Sequence, residues 1–236
     1  LNLFGSIVLL PIYLQMMMGY TSFHAGLVLG PGGIATLFAM PIVGKFVGKV
    51  NPKRFLVFGL SVCALSTYMM SQFNLTTDFW TFVWPRVALG FGMGMTFIPL
   101  TTLTLSHIPK ERMTEATSMY NLLRNLGGSV GIAMTTTILS RRAQLHQTRL
   151  VEHLSPFDPG YTIAHDKMAG FLGQNGLPPA GADGLMYREL IRQSTTLAFT
   201  DAFLVICILI LSIIPLVFIM KWSKAPGSGG PMEDRH

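Results

Sequence analysis

Arg124 is the only charged side chain between Ala116 and Ser140, a stretch of membrane-grade apolar sequence. A charge at mid-bilayer costs roughly 2.5–3.5 kcal/mol on insertion scales. A helix that keeps one must give it a partner, a water-filled cavity or a task. Thr117, Asn121, Arg124, Gly128, Gly131 and Thr135 recur at steps of three or four, so they share one helix face. That face can line a cavity in which Arg124 attracts anionic or polar groups. The competing reading ties the arginine to nearby carbonyls as bundle glue, and the residues alone leave both open. Gly127 and Gly131 add a small-xxx-small pair that permits close approach of another helix.

Arg86 lies about seven residues into a second apolar run, roughly 10 Å deep at 1.5 Å per residue. Among all Asp and Glu, Asp201 alone falls inside an apolar run, about one turn from its start. Proton-coupled chemistry needs a group that changes charge near neutral pH, and arginine does not. The chain therefore reads as incomplete for proton coupling unless Asp201 serves. Asp201 is also the expected counter-charge for Arg86 or Arg124. Gln15 is a further amide expected to be buried, as a helix–helix hydrogen bond. Met16, Met17 and Met18 read as packing, because no other soft ligand accompanies them. No metal or cofactor is expected. Cys63 and Cys207 lie within apolar runs, and neither a disulfide nor a metal spacing is indicated. Nucleophile-elbow, phosphate-loop and zinc motifs are missing, so an enzyme is not expected.

The elements that must position these residues are membrane helices. Hydrophobic residues make up 50% of the chain and charged ones 12%, far from a soluble domain. The net charge of +6 sits in the gaps between apolar runs, which argues against nucleic-acid binding. About 20 apolar residues are needed to cross the hydrocarbon. The expected fold is an all-α membrane protein with six transmembrane helices, at about 1–18, 24–46, 54–73, 79–105, 114–140 and 197–220. Backbone polar groups in lipid must be satisfied internally, so these are helices. Lys45, Lys49, Lys53 and Arg54 crowd one short loop, Lys110 and Arg112 another, and Lys221, Lys224 and Arg235 the tail. The intervening short loops carry no cation, which places Leu1 and the C-terminus at the cytoplasmic side. Residues 141–196 are then an external, periplasmic loop. In it 141–154 continues the fifth helix, and a short amphipathic helix is expected at 183–196. Residues 221–236 are expected as a disordered cytoplasmic tail.

Glycine and proline punctuate two spans. One carries Gly26, Gly30, Pro31, Gly32, Gly33 and Gly44; the other Pro85, Gly90, Gly92, Gly94 and Pro99. Proline frees a backbone carbonyl and glycine lowers resistance to bending, as suits a gate. Tight helix packing explains the same residues equally well.

Taken in order, Leu9, Leu10, Pro11, Ile12, Tyr13, Leu14 and Gln15, then Gly19, Tyr20 and Thr21, then Ala25 and Gly26 through Gly33 form a pattern. Pro85, Arg86, Gly90, Gly92 and Gly94 extend it, and Asn121, Arg124, Gly127, Gly128, Ser129 and Gly131 close it. In these residues the chain resembles the C-terminal half of a major facilitator superfamily multidrug exporter, of the fourteen-span drug:proton antiporter type (EmrB/QacA-like). The resemblance implies one of two pseudo-symmetric bundles that work by alternating access, with the proton gradient as energy source. Arg86, Gly90 and Gly92 are similar to the Arg/Gly motif implicated in proton coupling. Gly44, Lys49, Lys53 and Arg54 resemble a cytoplasmic gating loop. The acidic position of that motif is Gly48 here and its glycine is Asn51, departures that weaken transfer of its charge-relay role.

The resemblance further implies an N-terminal transmembrane half upstream, hydrophobic small-molecule substrates and a bacterial inner membrane. A periplasmic adaptor and an outer-membrane channel are implied partners. The chain opens at Leu1 in apolar sequence and is read as a fragment. Two alternatives stand beside the exporter: a non-transporting membrane scaffold or assembly subunit, and an importer of a small organic solute.

Overall fold

The computed structural model describes residues 2–46, 51–105, 108–152, 159–176, 178 and 181–219. The described chain is all-α: α1 (Asn2–Met16), α2 (Ser22–Phe46), α3 (Pro52–Met70), α4 (Phe79–Leu105), α5 (Met113–Glu152), α6 (Pro159–Gln174) and α7 (Ala182–Ile219). A 3-10 turn, Lys110–Arg112, leads into α5. Among the described residues, α2, α4 and α7 are long and apolar enough to cross a membrane, and Gly5–Met16 of α1 is a shorter apolar helix.

Local chemistry explains the turns. Gly19 adopts φ +68, the left-handed conformation that ends α1 and lets the Tyr20 amide donate to the Leu14 carbonyl at 3.0 Å. At the start of α3, Asn51 is the N-cap: its side-chain oxygen accepts from the Lys53 amide, and Pro52 occupies the first helical turn. The α3–α4 turn is closed by Asn74, whose Oδ1 accepts from the Thr76 amide at 3.0 Å.

Glycine sets how closely the helices meet. α4 lies between α2 and α3. Gly90 and Gly94 face α2: a Cβ on Gly90 would overlap the Gly32 carbonyl, and one on Gly94 would fall 2.6 Å from the Ala39 Cβ. Gly92 faces α3, where a Cβ would sit 2.8 Å from the Gly59 carbonyl oxygen. The three glycines of the expected flexible segment are therefore contact points on two sides of one helix. Thr36 fastens the first seam, donating to the Gly90 carbonyl at 2.8 Å. α7 packs on α3 and α5, while α1 touches α2, α5 and α7.

The core is richest in aromatic rings near the α3–α4 turn. Phe73 and Phe82 meet edge to face at 4.6 Å, and Tyr13 and Phe199 do so at 5.2 Å. The Tyr13 hydroxyl donates to the Asn74 carbonyl at 3.2 Å, so the ring is buried without orphaning its proton. Trp80 and Trp84, at the start of α4, are both exposed, as suits an aromatic belt at a membrane boundary. Leu37, Phe38 and Ile34 of α2 are likewise exposed, an apolar face unlike that of a soluble monomer.

Two helices are longer than the hydrocarbon of a bilayer is thick. α5 has 40 residues and α7 has 38, about 60 Å and 57 Å long, against a hydrocarbon thickness of ~30 Å. The separate short helix expected at 183–196 is instead the first half of α7, continuous with the last apolar run. No proline or glycine interrupts α7 between Leu185 and Ser212, so nothing breaks it at the expected boundary. α6 is a short helix within the 141–196 stretch, where short helices are expected; Pro159 begins it, in a position where a missing amide proton costs nothing.

Candidate functional site

Arg124 lies on a cleft of about 460 Å³ between four helices. Leu60 and Cys63 come from α3, and Met93, Phe97 and Leu100 from α4. α5 gives Tyr120, Leu123, Arg124, Gly127 and Gly128, and α7 gives Ile206, Leu209, Ile210 and Ile213. Arg124 is the sole charge in this lining. Its guanidinium stands 4.7 Å from the centre of the Phe97 ring, a cation–π contact. Among the described residues no carboxylate pairs with it. At one edge of the cleft the Tyr120 hydroxyl and Thr101 Oγ1 are 3.4 Å apart. A cation resting on an aromatic face in an apolar lining can receive a flat or anionic amphipathic molecule. Polar placement comes from one guanidinium and everything else is non-directional.

The polar stripe of α5 divides. Asn121 and Arg124 are exposed, while Gly128, Gly131 and Thr135 are buried. A Cβ on Gly5 of α1 would fall 3.2 Å from Thr135 Oγ1, so the buried end of the stripe packs against another helix. The exposed end holds the chemistry. Gly127 has open space around it, so it lines the cleft and does not mediate packing.

Arg86 is placed quite differently. It is 9% exposed, and its Nη1 donates to Ser6 Oγ of α1 at a long 3.4 Å. Its Nε is buried with no partner among the described residues. Gly32 of α2 presses on it: a Cβ there would lie 2.8 Å from the Arg86 carbonyl oxygen.

Asp201 pairs with neither arginine. Its Oδ2 meets His146 Nε2 at 2.8 Å and Arg142 Nη1 at 3.5 Å, both in the C-terminal part of α5. The expected pairing with Arg86 or Arg124 is corrected because α5 continues unbroken past Ser140 and delivers closer cations. Neither His146 nor Phe97 stands out from sequence. The signal that points to His146 is an acid inside the last apolar run, opposite a helix with Arg142 and His146 one turn apart.

Gln15 is exposed, not buried; its Oε1 accepts from Ser22 Oγ at 3.4 Å across the α1–α2 turn. A Cβ on Gly26, Gly30 or Gly44 would meet nothing within 4 Å, so none of the three is a packing contact. Pro31 adjoins the Gly32 seam, and Pro99 is buried in α4. Lys53 and Arg54 occupy the first turn of α3 behind the Asn51 cap, and Lys49 lies outside the described residues. Beyond the bundle, Tyr161 of α6 donates to Asp183 Oδ1 at 3.0 Å, a bond that raises its phenol above the ordinary range. Among the described residues, no group of three His, Cys, Asp or Glu side chains is placed to hold a metal.

These features define a helical bundle built for lipid, with an apolar cleft and one cation in it. The chain belongs to the Major Facilitator Superfamily, which matches residues 1–132. It is similar to the fatty acid resistance protein FarB of Neisseria gonorrhoeae, at 34% identity over 226 residues, covering 96% of this chain and 44% of FarB. The multidrug export protein EmrB of Escherichia coli (strain K12) is 33% identical over 228 residues, covering 96% of this chain and 44% of EmrB. The probable multidrug resistance protein EmrY of the same strain is 31% identical over 218 residues, covering 92% and 42%. The chain thus spans less than half the length of these relatives.

Proposed function

We propose that this chain is the six-span C-terminal bundle of a proton-coupled exporter of amphipathic drugs or toxic compounds, working by alternating access in a bacterial inner membrane. The observation that carries this reading is the apolar cleft whose one charge, Arg124, is exposed and stacked on Phe97. A packing arginine is buried and saturated by hydrogen bonds; this one is available. An apolar, methionine- and phenylalanine-bearing wall suits many ligands, because it repacks around each. The names of the relatives, multidrug export and fatty acid resistance, support amphipathic substrates over a polar solute. They also weigh against the scaffold and importer alternatives.

On this reading α1, α3 and α5 join α2, α4 and α7 as spans, with α6 and the ends of α5 and α7 external. A second bundle faces the exposed Asn121–Arg124 face and closes the cleft. A periplasmic adaptor and an outer-membrane channel are proposed partners for the external helices, by analogy alone.

Arg124→Ala tests the reading. In the transporter carrying this chain, drug efflux in membrane vesicles should be lost while the amount of protein in the membrane is unchanged. Full retained efflux overturns the role of Arg124 and returns it to packing.

A further inference from the structure

The exporter reading leaves the proton without a binding group in this bundle, since neither arginine titrates near neutrality. The His146–Asp201 contact supplies one. We propose that His146 is a proton-binding site open to the external side, and that its protonation clasps α5 to α7.

The geometry is specific. His146 Nε2 lies 2.8 Å from Asp201 Oδ2, and the two residues are 55 positions apart in sequence, so the bond joins separate helices. Arg142, one turn before His146 on α5, reaches the same oxygen at 3.5 Å. The histidine is mostly shielded, at 18% exposure, and Asp201 is partly open, at 32%. The ring that receives the proton is held in place, and its partner carboxylate lies at an open edge of the α5–α7 contact.

Several other ionisable groups on the packed elements have partners of their own. Arg192 of α7 gives Nε and Nη2 to the Met17 carbonyl and approaches Glu189. His165 of α6 faces Asp166 and Asp183, and Lys167 lines a groove beside Met16 and Met18. Tyr13 of α1 is committed to the Asn74 carbonyl, and Arg86 of α4 to Ser6. Arg149 lies one turn beyond His146 on α5. Among the described residues Asp201 is the carboxylate that meets the ring, with Arg142 as its competitor.

The consequence follows from charge. Protonated His146 and ionised Asp201 attract as an ion pair, and the α5–α7 clasp is tight. When the proton leaves, the neutral ring still donates to ionised Asp201, and Arg142 of α5 keeps its own pairing across the contact, so the clasp loses one of its two cations and weakens without opening. Bond making is confined to one proton, taken from external water and returned to it. The site sits where an external proton would meet an exporter, and in this respect it rests on the function proposed above and deepens it.

The experiment measures the clasp without any substrate. Spin labels are placed at Gln144→Cys and Leu204→Cys, both exposed positions, in the full chain reconstituted in lipid with Cys63 and Cys207 replaced by alanine. The inter-label distance distribution is compared at about pH 5 and about pH 8, the range in which histidine changes charge. Narrowing at the acid end is expected, with loss of that change in His146→Gln, which keeps a hydrogen-bond donor but does not titrate. Asp201→Asn should also abolish it. The same pH response in His146→Gln, or none in the parent chain, overturns the proposal. Failure of the exporter reading leaves this measurement intact, because no transport is assayed.

Discussion

Two arginines in this chain sit beside glycines in apolar helices, and their surroundings are opposite. Arg86 is sealed into the α2–α4 seam, where Gly32 and Gly90 bring two backbones into contact and the guanidinium Nε has no partner among the described residues. Arg124 stands in the open on α5, where Gly127 leaves empty space and a phenylalanine ring is the resting place. The same residue types make a tight joint in one place and a ligand-ready wall in the other. What separates them is whether a neighbouring backbone occupies the space beside the glycine. The joint holds the bundle's shape; the wall is where shape can change with its occupant.

The largest effect should come from filling the joint. Gly90→Ala places a methyl against the Gly32 carbonyl, which is backbone and cannot swing away. Overpacking costs about 1–3 kcal/mol, and more when backbone must move. We expect the upper end of that range, read as a fall in thermal stability in detergent or as loss of folded protein. Gly127→Ala on the open wall should change stability by less than ~0.5 kcal/mol. Equal behaviour of the two variants would erase the distinction between the regions.

Only part of this distinction is legible in the sequence. Long apolar runs announce helices because lipid permits little else, and the order of Pro, Arg and Gly residues carries the family. The division of the glycines is not legible. Gly30 and Gly32 differ by two positions, yet one meets open space and the other meets Arg86. A helix turns 100° per residue, so that difference is one of facing direction, fixed by which neighbour packs there. The expected Asp201 pairing fails for a related reason. The continuation of α5 past Ser140 is expected, but which of its side chains faces Asp201 is fixed by how α5 and α7 pack. Asn51 shows the reverse. It departs from the family's gating loop at a glycine position, and its side chain caps α3 instead.

Removing the sealed charge is the second test. Arg86→Met keeps the bulk and removes the buried guanidinium with its orphaned Nε. Replacing buried charge by well-packed apolar side chains is often neutral or stabilising, by roughly 1–4 kcal/mol. The variant should hold or raise the melting temperature while drug transport falls. A loss of about 3 kcal/mol or more would mean that the arginine is a structural member of a saturated pair, and the seam would then be stabilised by its charge and not by its glycines.

The smallest effect is the most discriminating for the open wall. Arg124 and Phe97 can be compared singly and together, as Arg124→Ala, Phe97→Leu and the double variant. An exposed cation–π contact is worth about 0.5–1 kcal/mol, so the coupling between them should not exceed that. Leucine keeps most of the ring's apolar contact with α4 and removes its quadrupole, which isolates the electrostatic part. A small coupling means the guanidinium is held loosely enough for a ligand to displace it from the ring. A coupling of about 2 kcal/mol or more is the range of desolvated pairs. Arg124 would then serve as an inter-helix fastener between α4 and α5, and the contrast with Arg86 would collapse into two kinds of packing.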